Sequence, residues 1–544
     1  MSAQSATVTF TRTVTVAAGA FAPGHLGELT QLVPFELVDD VLARTGAVQR
    51  RLRDLPSRVG VYFVLALGLF PGLGYARVWA KLTAGLAGLP VPCPSEKALR
   101  DLRRRLGPAP LKALFEVLAG PLAWPYAPGV RFGGLRTVAF DGCSSIRVPD
   151  TARNRAWLGR VRHRNGFAGY PLVHLMALAE TGTRGLLGAV IGAQADGGET
   201  ALARRLLPLL GPGMLVLADR AFDAAGFLAA VAGTGAQFLA RVKSSRVLEP
   251  GQVLPDGSYL SGLGGLRVRV IEARVTVTGA GGSRCQDRFR LVTTLLDHRR
   301  FPADRLVRLY HERWEIESAY YALRHTLLAG RVLRSGDRPG LEQETWALLA
   351  LYQLLRMAMT DAAATAGADP DRASFTTALQ AAIDQLTAAA GVIPAAPGTP
   401  GAIGRAVLDS FLAGRRPRYS ARKVKSSTSR YPARPGDPRP ALPETITAVT
   451  ITICTPPPDG RHPRPRARRQ PAPGTLRHRI TAIMHTDPSR PRHGRELAAQ
   501  LHLRPRYLLS HLAHWASAGH LTRTSPGTYT LPPTPPPLTN PPDP

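Results

Sequence analysis

Acidic residues are scarce in this chain. Over 544 residues, 38 Asp and Glu stand against 69 Lys and Arg, which leaves a net charge of +31. That imbalance exceeds what solubility requires and points to a polyanionic partner, of which nucleic acid is the commonest. A membrane surface is the rival, but no basic amphipathic anchor stands out. Cysteine is scarce too, with four in the whole chain, Cys93, Cys143, Cys285 and Cys454. No two share zinc-ligand spacing, and a disulfide framework does not suit a chain this long, so a reducing cytoplasm is the simplest setting. Long apolar runs are missing: the longest, Val59 to Phe70, is 12 residues and too short to span a bilayer. The N-terminus carries no basic segment followed by an apolar core, so no signal peptide is expected.

What is present divides the chain into stretches of different rhythm. Residues 1–23 read as a flexible arm. Residues 24–125 read as a helical domain, including the apolar helix Ser57 to Phe70 and a capped helix from Ser95 that carries Arg100, Arg103, Arg104 and Arg105. That domain suits DNA binding or buttressing of its neighbour. From Leu135 the period changes. Leu135 to Asp141 reads as a strand ending in an acid, and so does Gly213 to Asp219. Strands at Tyr170–Glu180, Gly185–Ala193 and Gln237–Val242 interleave with helices at Glu199–Leu210 and Asp223–Gly233, which argues for an α/β sheet. Residues 244–295 break the rhythm and read as a β-rich insertion. Helices follow at Ala303–Leu328, Leu341–Ala364, Phe375–Ala390 and Ala402–Leu412, closing a catalytic domain over 135–414.

Residues 415–474 read as a basic, Pro/Arg-rich linker. Arg415 to Arg439 holds nine Lys and Arg against one acid, and Thr445 to Thr455 reads as a lone β-branched strand. Residues 475–531 give three helices and a hairpin, the order of a winged helix-turn-helix. Its third helix opens with Arg504, Arg506 and Tyr507, suited to a DNA groove. A three-helix protein-interaction module would look alike. Residues 532–544 are Pro-rich and read as a disordered tail.

The chemistry centres on three acids. Asp141 and Asp219 end strands, where open α/β sheets build their sites. Glu317 lies in YHERWEIESAYYALR, with Tyr310, Arg313 and Arg324 at offsets that keep all four near one face of an α-helix. An amphipathic surface helix with scattered ion pairs would give that pattern as well. Three converging carboxylates would hold two divalent cations, Mg2+ or Mn2+, through hard oxygen ligands, and two such ions activate the attacking oxygen and stabilise the leaving one at a phosphodiester. Singly, Asp141 could be a turn residue and Asp219 a helix cap. Cys143, Ser144 and Ser145 have no His in a recognisable nucleophile motif.

Together AFDGCSSIRVPDTARNRAWLGR, LVLADRAFDAAGF with FLARVKSS, and LYHERWEIESAYYALR resemble the insertion sequence 4 family of DDE transposases, from about Gly24 to Tyr431. The resemblance implies a ribonuclease H-like fold with a β-rich insertion between the second and third acids, and Asp141, Asp219 and Glu317 as metal ligands. It also implies that Tyr310, Arg313 and Arg324 contact end-DNA phosphates. The family pattern has Lys where Arg324 stands, so charge is kept and geometry is not. The implied activity is cut-and-paste transposition by hydrolysis and 3′-hydroxyl strand transfer. The implied partners are terminal inverted repeats and target DNA, with a homodimer in the DNA complex. A metal-dependent nuclease without strand transfer, or an inactive DNA-binding derivative, would carry much the same sequence.

Overall fold

The computed structural model describes residues 26–50, 55–84, 91–124, 126–160, 162–163, 166–167, 169–282, 284–388, 400–413, 446–456, 476–487, 490–503, 505–517 and 521–531. The expected arm at 1–23, the basic stretch Arg415–Arg439, the linker to residue 474 beyond Pro456, and the tail at 532–544 lie outside the described residues. The chain divides into two compact units, Met1–Gly460 and Arg461–Pro544.

The first unit is organised by one long sheet. Five strands form its catalytic half: β1 (Leu135–Arg147), β2 (Leu172–Glu180), β3 (Leu186–Gly192), β4 (Met214–Ala218) and β5 (Gln237–Arg241). They lie in the order β3-β2-β1-β4-β5, with β1–β2 and β2–β3 antiparallel and β1–β4 and β4–β5 parallel. An antiparallel meander followed by parallel crossovers is the ribonuclease H-like order the resemblance implies. Val138, Phe140, Val216 and Phe238 are fully buried on one face and Ala139, Leu215, Leu217 and Leu239 on the other, so these strands are covered on both faces, as mixed α/β sheets require.

The β-rich insertion is present and joins the same sheet: β6 (Tyr259–Leu263), β7 (Leu266–Gly279) and β8 (Arg284–Thr293) extend it, β8 pairing antiparallel with β5 and β7 with β8. Two expectations change. The strand at Thr445–Thr455 is not alone. Its observed span, β9 (Ile446–Ile453), pairs antiparallel with β7 from Ala273↔Ile453 to Gly279↔Ile446. Val449, Ile451 and Ile453 pack on the main core while Ala448, Thr450 and Thr452 face solvent. Finally, the strand at Leu135 does not end at its acid but runs on to Arg147.

The N-terminal helices are α1 (Phe35–Arg44), α2 (Ser57–Leu69), α3 (Tyr75–Leu82), α4 (Glu96–Leu106) and α5 (Ala109–Leu118). They share one core with the sheet. Gly192 leads on to α6 (Gly198–Arg204); β4 and β5 are bridged by α7 (Ala225–Gly233). After β8 come α8 (Ala303–Tyr310), α9 (Glu315–Tyr321), α10 (Arg338–Thr365), α11 (Phe375–Thr387) and α12 (Ala402–Asp409). Helix α10 packs against α2, α5 and α12. Every residue of α2 except Arg58 is buried, and such all-round apolarity marks a helix enclosed by others. At Gly68 a Cβ would come within 3.0 Å of Leu351, so glycine lets α2 and α10 approach closely. The expected basic face of α4 is interrupted. Arg103 turns inward, its guanidinium 2.9 Å from Glu344 Oε1 and from Gln343 Oε1 on α10, while Arg100, Arg104 and Arg105 are exposed.

The second unit has its own core of Ile480, Met484, Leu497, Leu508, Leu512, Leu521 and Tyr529. Its elements are α13 (Leu476–His485), β10 (Arg492–His493), α14 (Gly494–Gln500), α15 (Pro505–Ser517), β11 (Thr522–Ser525) and β12 (Thr528–Thr530), the strands in the order β10-β12-β11. A helix, a short strand, two helices and a hairpin in that sequence is winged-helix topology. Tyr507 is exposed on α15. Arg506 lies on the same helix, and Arg504 lies outside the described residues.

Candidate active site

Strand register brings the first two acids together. The parallel pairing of β1 with β4 ends at Ala139↔Leu217. Asp141 and Asp219 each lie two residues beyond that pair, so they stand at the same level of neighbouring strands about 4.8 Å apart and follow the same side of the pleat. Asp141 continues in antiparallel pairing with Ala177, whereas at Asp219 the chain turns away and its carboxylate accepts from Arg220 N at 2.6 Å. The splayed edge between β1 and β4 is thus where two carboxylates can share a ligand.

The third acid comes from a helix that is not regular. Between α8 and α9 the segment His311–Trp314 winds as a 3-10 turn, and Ala322–Leu327 after α9 winds as a π-helix. A tight turn followed by a wide one moves the side chains off the single face that uniform α-geometry would give. Tyr310 and Arg313 turn inward, 3% and 2% exposed. The Tyr310 hydroxyl donates to the Ala218 carbonyl at 3.3 Å, directly before Asp219. Burial pushes that phenol far up, so it stays protonated. Of the three glutamates in HERWEIE, Glu315 is buried and pairs with Arg184 at 2.6 Å. Glu312 accepts from Thr181 at 3.5 Å. Glu317 shares Arg313 with Asp219 and acts electrostatically on Asp141, its side chain 41% exposed.

Arg313 stands among the acids. Its Nη2 lies 3.8 Å from Asp219 Oδ2 and 3.6 Å from Glu317 Oε1, and its guanidinium rests 4.9 Å from the Trp314 ring. Burial works against its charge, but Tyr310, Asp219, Asp141 and Glu317 outweigh burial and hold it protonated. Asp141 is in the opposite position. Burial pushes its carboxyl up to about 7; Glu317 and Glu199 push the same way, and Arg313 and the Gly142 N–H, which donates at 2.9 Å, only partly oppose them.

Glu199 was not singled out from the sequence. It lies at the start of α6, where a Cβ on Gly142 would meet its Oε1 at 2.7 Å, so glycine after Asp141 leaves room for a fourth carboxylate. No sequence signal marks it, because a glutamate in the first turn of a helix is common for dipole reasons alone. Arg324 lies within the π turn. It donates to Ser145 Oγ, and its Nη2 is 3.1 Å from His325 Nε2. Tyr310 and Arg313, expected to reach phosphate, are instead held against the acids and their backbone, while Arg324 remains on the outer surface. Asp150 is occupied by Arg155 and Arg160 at 3.1 and 3.2 Å. Cys143 Sγ is 3.4 Å from Ser145 Oγ, with no imidazole beside either among the described residues.

Among the described residues no three acid, imidazole or thiol groups are drawn closely enough to grip a metal ion as they stand. Arg313 lies between them. The residues nevertheless fit a divalent cation. All donors are hard carboxylate oxygens, and the half-buried Asp141 carries unmet demand for positive charge.

The comparisons agree with this geometry. Residues 23–116 match the family described as insertion element 4 transposase N-terminal, and residues 133–354 match the transposase DDE domain. Transposase InsG for insertion sequence element IS4, from Escherichia coli (strain K12), is 30% identical over 423 residues, covering 74% of this chain and 92% of that protein. The piggyBac transposase synaptic complex with hairpin DNA, solved by cryo-electron microscopy, aligns over 76% of this chain and 88% of its own at 10% identity and a TM-score of 0.38, a likeness too loose to carry argument. No described helix is long and apolar enough to cross a membrane. The strand order, the neighbouring aspartates, the glutamate that shares Arg313 with one of them and a relative matched along nearly its whole length have one reading: this chain belongs to the insertion element 4 family of DDE transposases, enzymes that act on DNA.

Proposed function

We propose that the chain catalyses cut-and-paste transposition of an insertion sequence, with Asp141, Asp219 and Glu317 as ligands for two divalent cations, Mg2+ or Mn2+. DDE domains work with divalent metal; the number and kind are our reading. The observation that supports it best is the level alignment of Asp141 and Asp219 past the Ala139↔Leu217 pair, with Glu317 sharing Arg313 with Asp219. Bound there, the metal would polarise the scissile phosphodiester and lower the pKa of the attacking water or 3′-hydroxyl. The chain's own residues do the rest. Tyr310 fixes the backbone that presents Asp219. Arg313 offsets the repulsion among the carboxylates. Arg324, on the outer surface, is the phosphate contact we favour of the three basic and aromatic candidates around the acids.

The reaction we assign is hydrolysis at each element end, then attack of the freed 3′-hydroxyls on target DNA, by a homodimer holding two terminal inverted repeats. The winged-helix unit, through Arg504, Arg506 and α15, would read those repeats. Labelled end DNA incubated with the protein and magnesium tests this: cut ends and joined products are expected. Asp141→Ala, Asp219→Ala and Glu317→Ala should each lose both while keeping DNA binding. Cutting that survives all three substitutions would remove the site assignment, and cutting without joining would reduce the protein to a nuclease.

A further inference from the structure

We infer that the surface strip formed by exposed Tyr321, His325, Arg147 and Tyr170 and half-buried Arg324 binds an unpaired stretch of DNA beside the three acids. The inference deepens the proposed function and rests on it for the identity of the neighbouring site.

The strip is built from two elements that carry the acids. Tyr321 ends α9, four residues after Glu317, which sets it about 6 Å further along the helix axis. That is close to two base-stacking rises of about 3.4 Å each. Its ring is 62% exposed and meets His325, four residues on along the same helical face, at 4.8 Å. Strand β1 supplies the other side. A bulge between Cys143 and Ile146 breaks its pairing with β2 and leaves Ser144 and Ser145 both exposed, followed by exposed Arg147. The Arg147 guanidinium lies 5.9 Å from the Tyr170 ring, and Tyr170 is 41% exposed.

The charge of the strip is uncompensated. Arg324 is held by Ser145 Oγ and Arg147 by the Gly330 carbonyl, both neutral acceptors, and neither arginine has an ion pair with an acid among the described residues. Elsewhere in the same unit arginines near the sheet are matched to carboxylates, as Arg136 is to Glu180 and Arg290 to Glu272. Two guanidiniums fixed in place by neutral oxygens, beside rings with open faces, form a surface for a chain of phosphates with accessible bases. Duplex DNA offers the phosphates but keeps its base faces stacked on one another, whereas an unpaired strand offers both, and stacking on aromatic side chains is how sequence-tolerant single-strand sites gain affinity.

The test uses the full chain and two DNAs: a blunt duplex, and the same duplex with a three-nucleotide unpaired extension containing 2-aminopurine. Tighter binding of the extended DNA with quenched fluorescence is expected. Tyr321→Ala should abolish the quenching and weaken the extended DNA about tenfold while leaving blunt-duplex binding unchanged, and Tyr321→Phe should restore both. Because Tyr321 is exposed, its removal leaves the core intact, which an unchanged Tm would verify. Equal affinity for the two DNAs, or quenching that survives Tyr321→Ala, overturns the inference. Magnesium-dependent cutting of element ends, measured on the same preparations, separates the two readings. A protein that cuts but ignores the extension loses the strip and keeps the catalytic assignment. One that prefers the extension but never cuts keeps the strip and loses the assignment.

Discussion

Asp141 carries a cost that its neighbours explain. Its carboxyl is raised to about 7 by burial first and by Glu317 and Glu199 next. An acid whose folded pKa lies above its unfolded value, about 4, favours the folded state fully below that value and loses this contribution as pH rises through about 7. Removing the charge should therefore stabilise the metal-free protein increasingly as pH rises from about 4 to about 7. Asp141→Asn is expected to raise Tm most at pH 8, with roughly a third of that free energy at pH 5 and almost none at about pH 3, as calorimetry in a chelating buffer would reveal. Metal and proton also compete for this oxygen, so cutting by the unmutated protein at limiting magnesium should fall as pH drops below about 7, with the midpoint moving lower as magnesium is raised. Arg313 gives the converse. It is buried and balances three acids, so Arg313→Ala should lower stability by about 3 kcal/mol, the range for breaking a buried charge set. Magnesium should then raise the variant's Tm more than that of the unmutated chain; equal shifts would mean that Arg313 does not offset the site. At this scale the sequence draws attention to Asp219 and Glu317 because strand ends and a patterned helix mark acids, and the structure sets both beside Arg313. Glu199 and the inward turn of Arg103 were not legible. Arg100, Arg103, Arg104 and Arg105 are one residue type in one helix, and only Glu344, supplied about 240 positions later, decides which of them is buried.

Among elements, the sheet was readable where hydrophobic alternation was local and unreadable where pairing was distant. Strands β1 to β5 announce themselves by apolar runs and turns, and their observed bounds differ from the expected ones by a residue or two except where β1 continues past Asp141. Strand β9 looked solitary because its partner, β7, lies well over 150 positions earlier, and sequence pattern holds no record of register between remote strands. The breaks in the Tyr310–Leu327 segment were equally hidden. A 3-10 or π turn needs no distinctive composition, only a local change in which carbonyl each N–H meets. The β9 pairing makes a prediction at its own scale. Val449 and Ile451 pack on the core and Thr450 faces solvent. Val449→Asp or Ile451→Asp should cost about 1–3 kcal/mol, while Thr450→Asp should stay within about 0.5 kcal/mol, compared by denaturant unfolding. Similar costs at the three positions would mean that β9 does not lie on the sheet with this alternation.

At the scale of the whole chain, the balance of 69 basic and 38 acidic residues was the first pointer to DNA, and it is general rather than specific. Backbone charge supplies affinity and salt dependence; sequence preference needs side chains in a groove. The division at Gly460 allows these two tasks to be tested on separate parts of the chain. The second unit has a core independent of the first, and small domains of about 55–65 residues can fold alone. A fragment of residues 461–544 is therefore expected to unfold cooperatively by circular dichroism. The first unit contains the three acids and the strip beside them, so residues 1–460 should retain magnesium-dependent cutting of DNA. If α15 reads the inverted repeats, that truncated chain should bind end DNA and unrelated DNA of equal length with nearly equal affinity, and its log Kd should change less steeply with log salt than that of the full chain, because phosphate contacts made by the second unit are gone. The measurement is a competition titration of both proteins across salt concentrations. Undiminished preference for end DNA in residues 1–460 would move repeat recognition into the first unit, where the exposed Arg100, Arg104 and Arg105 of α4 are the next residues to substitute.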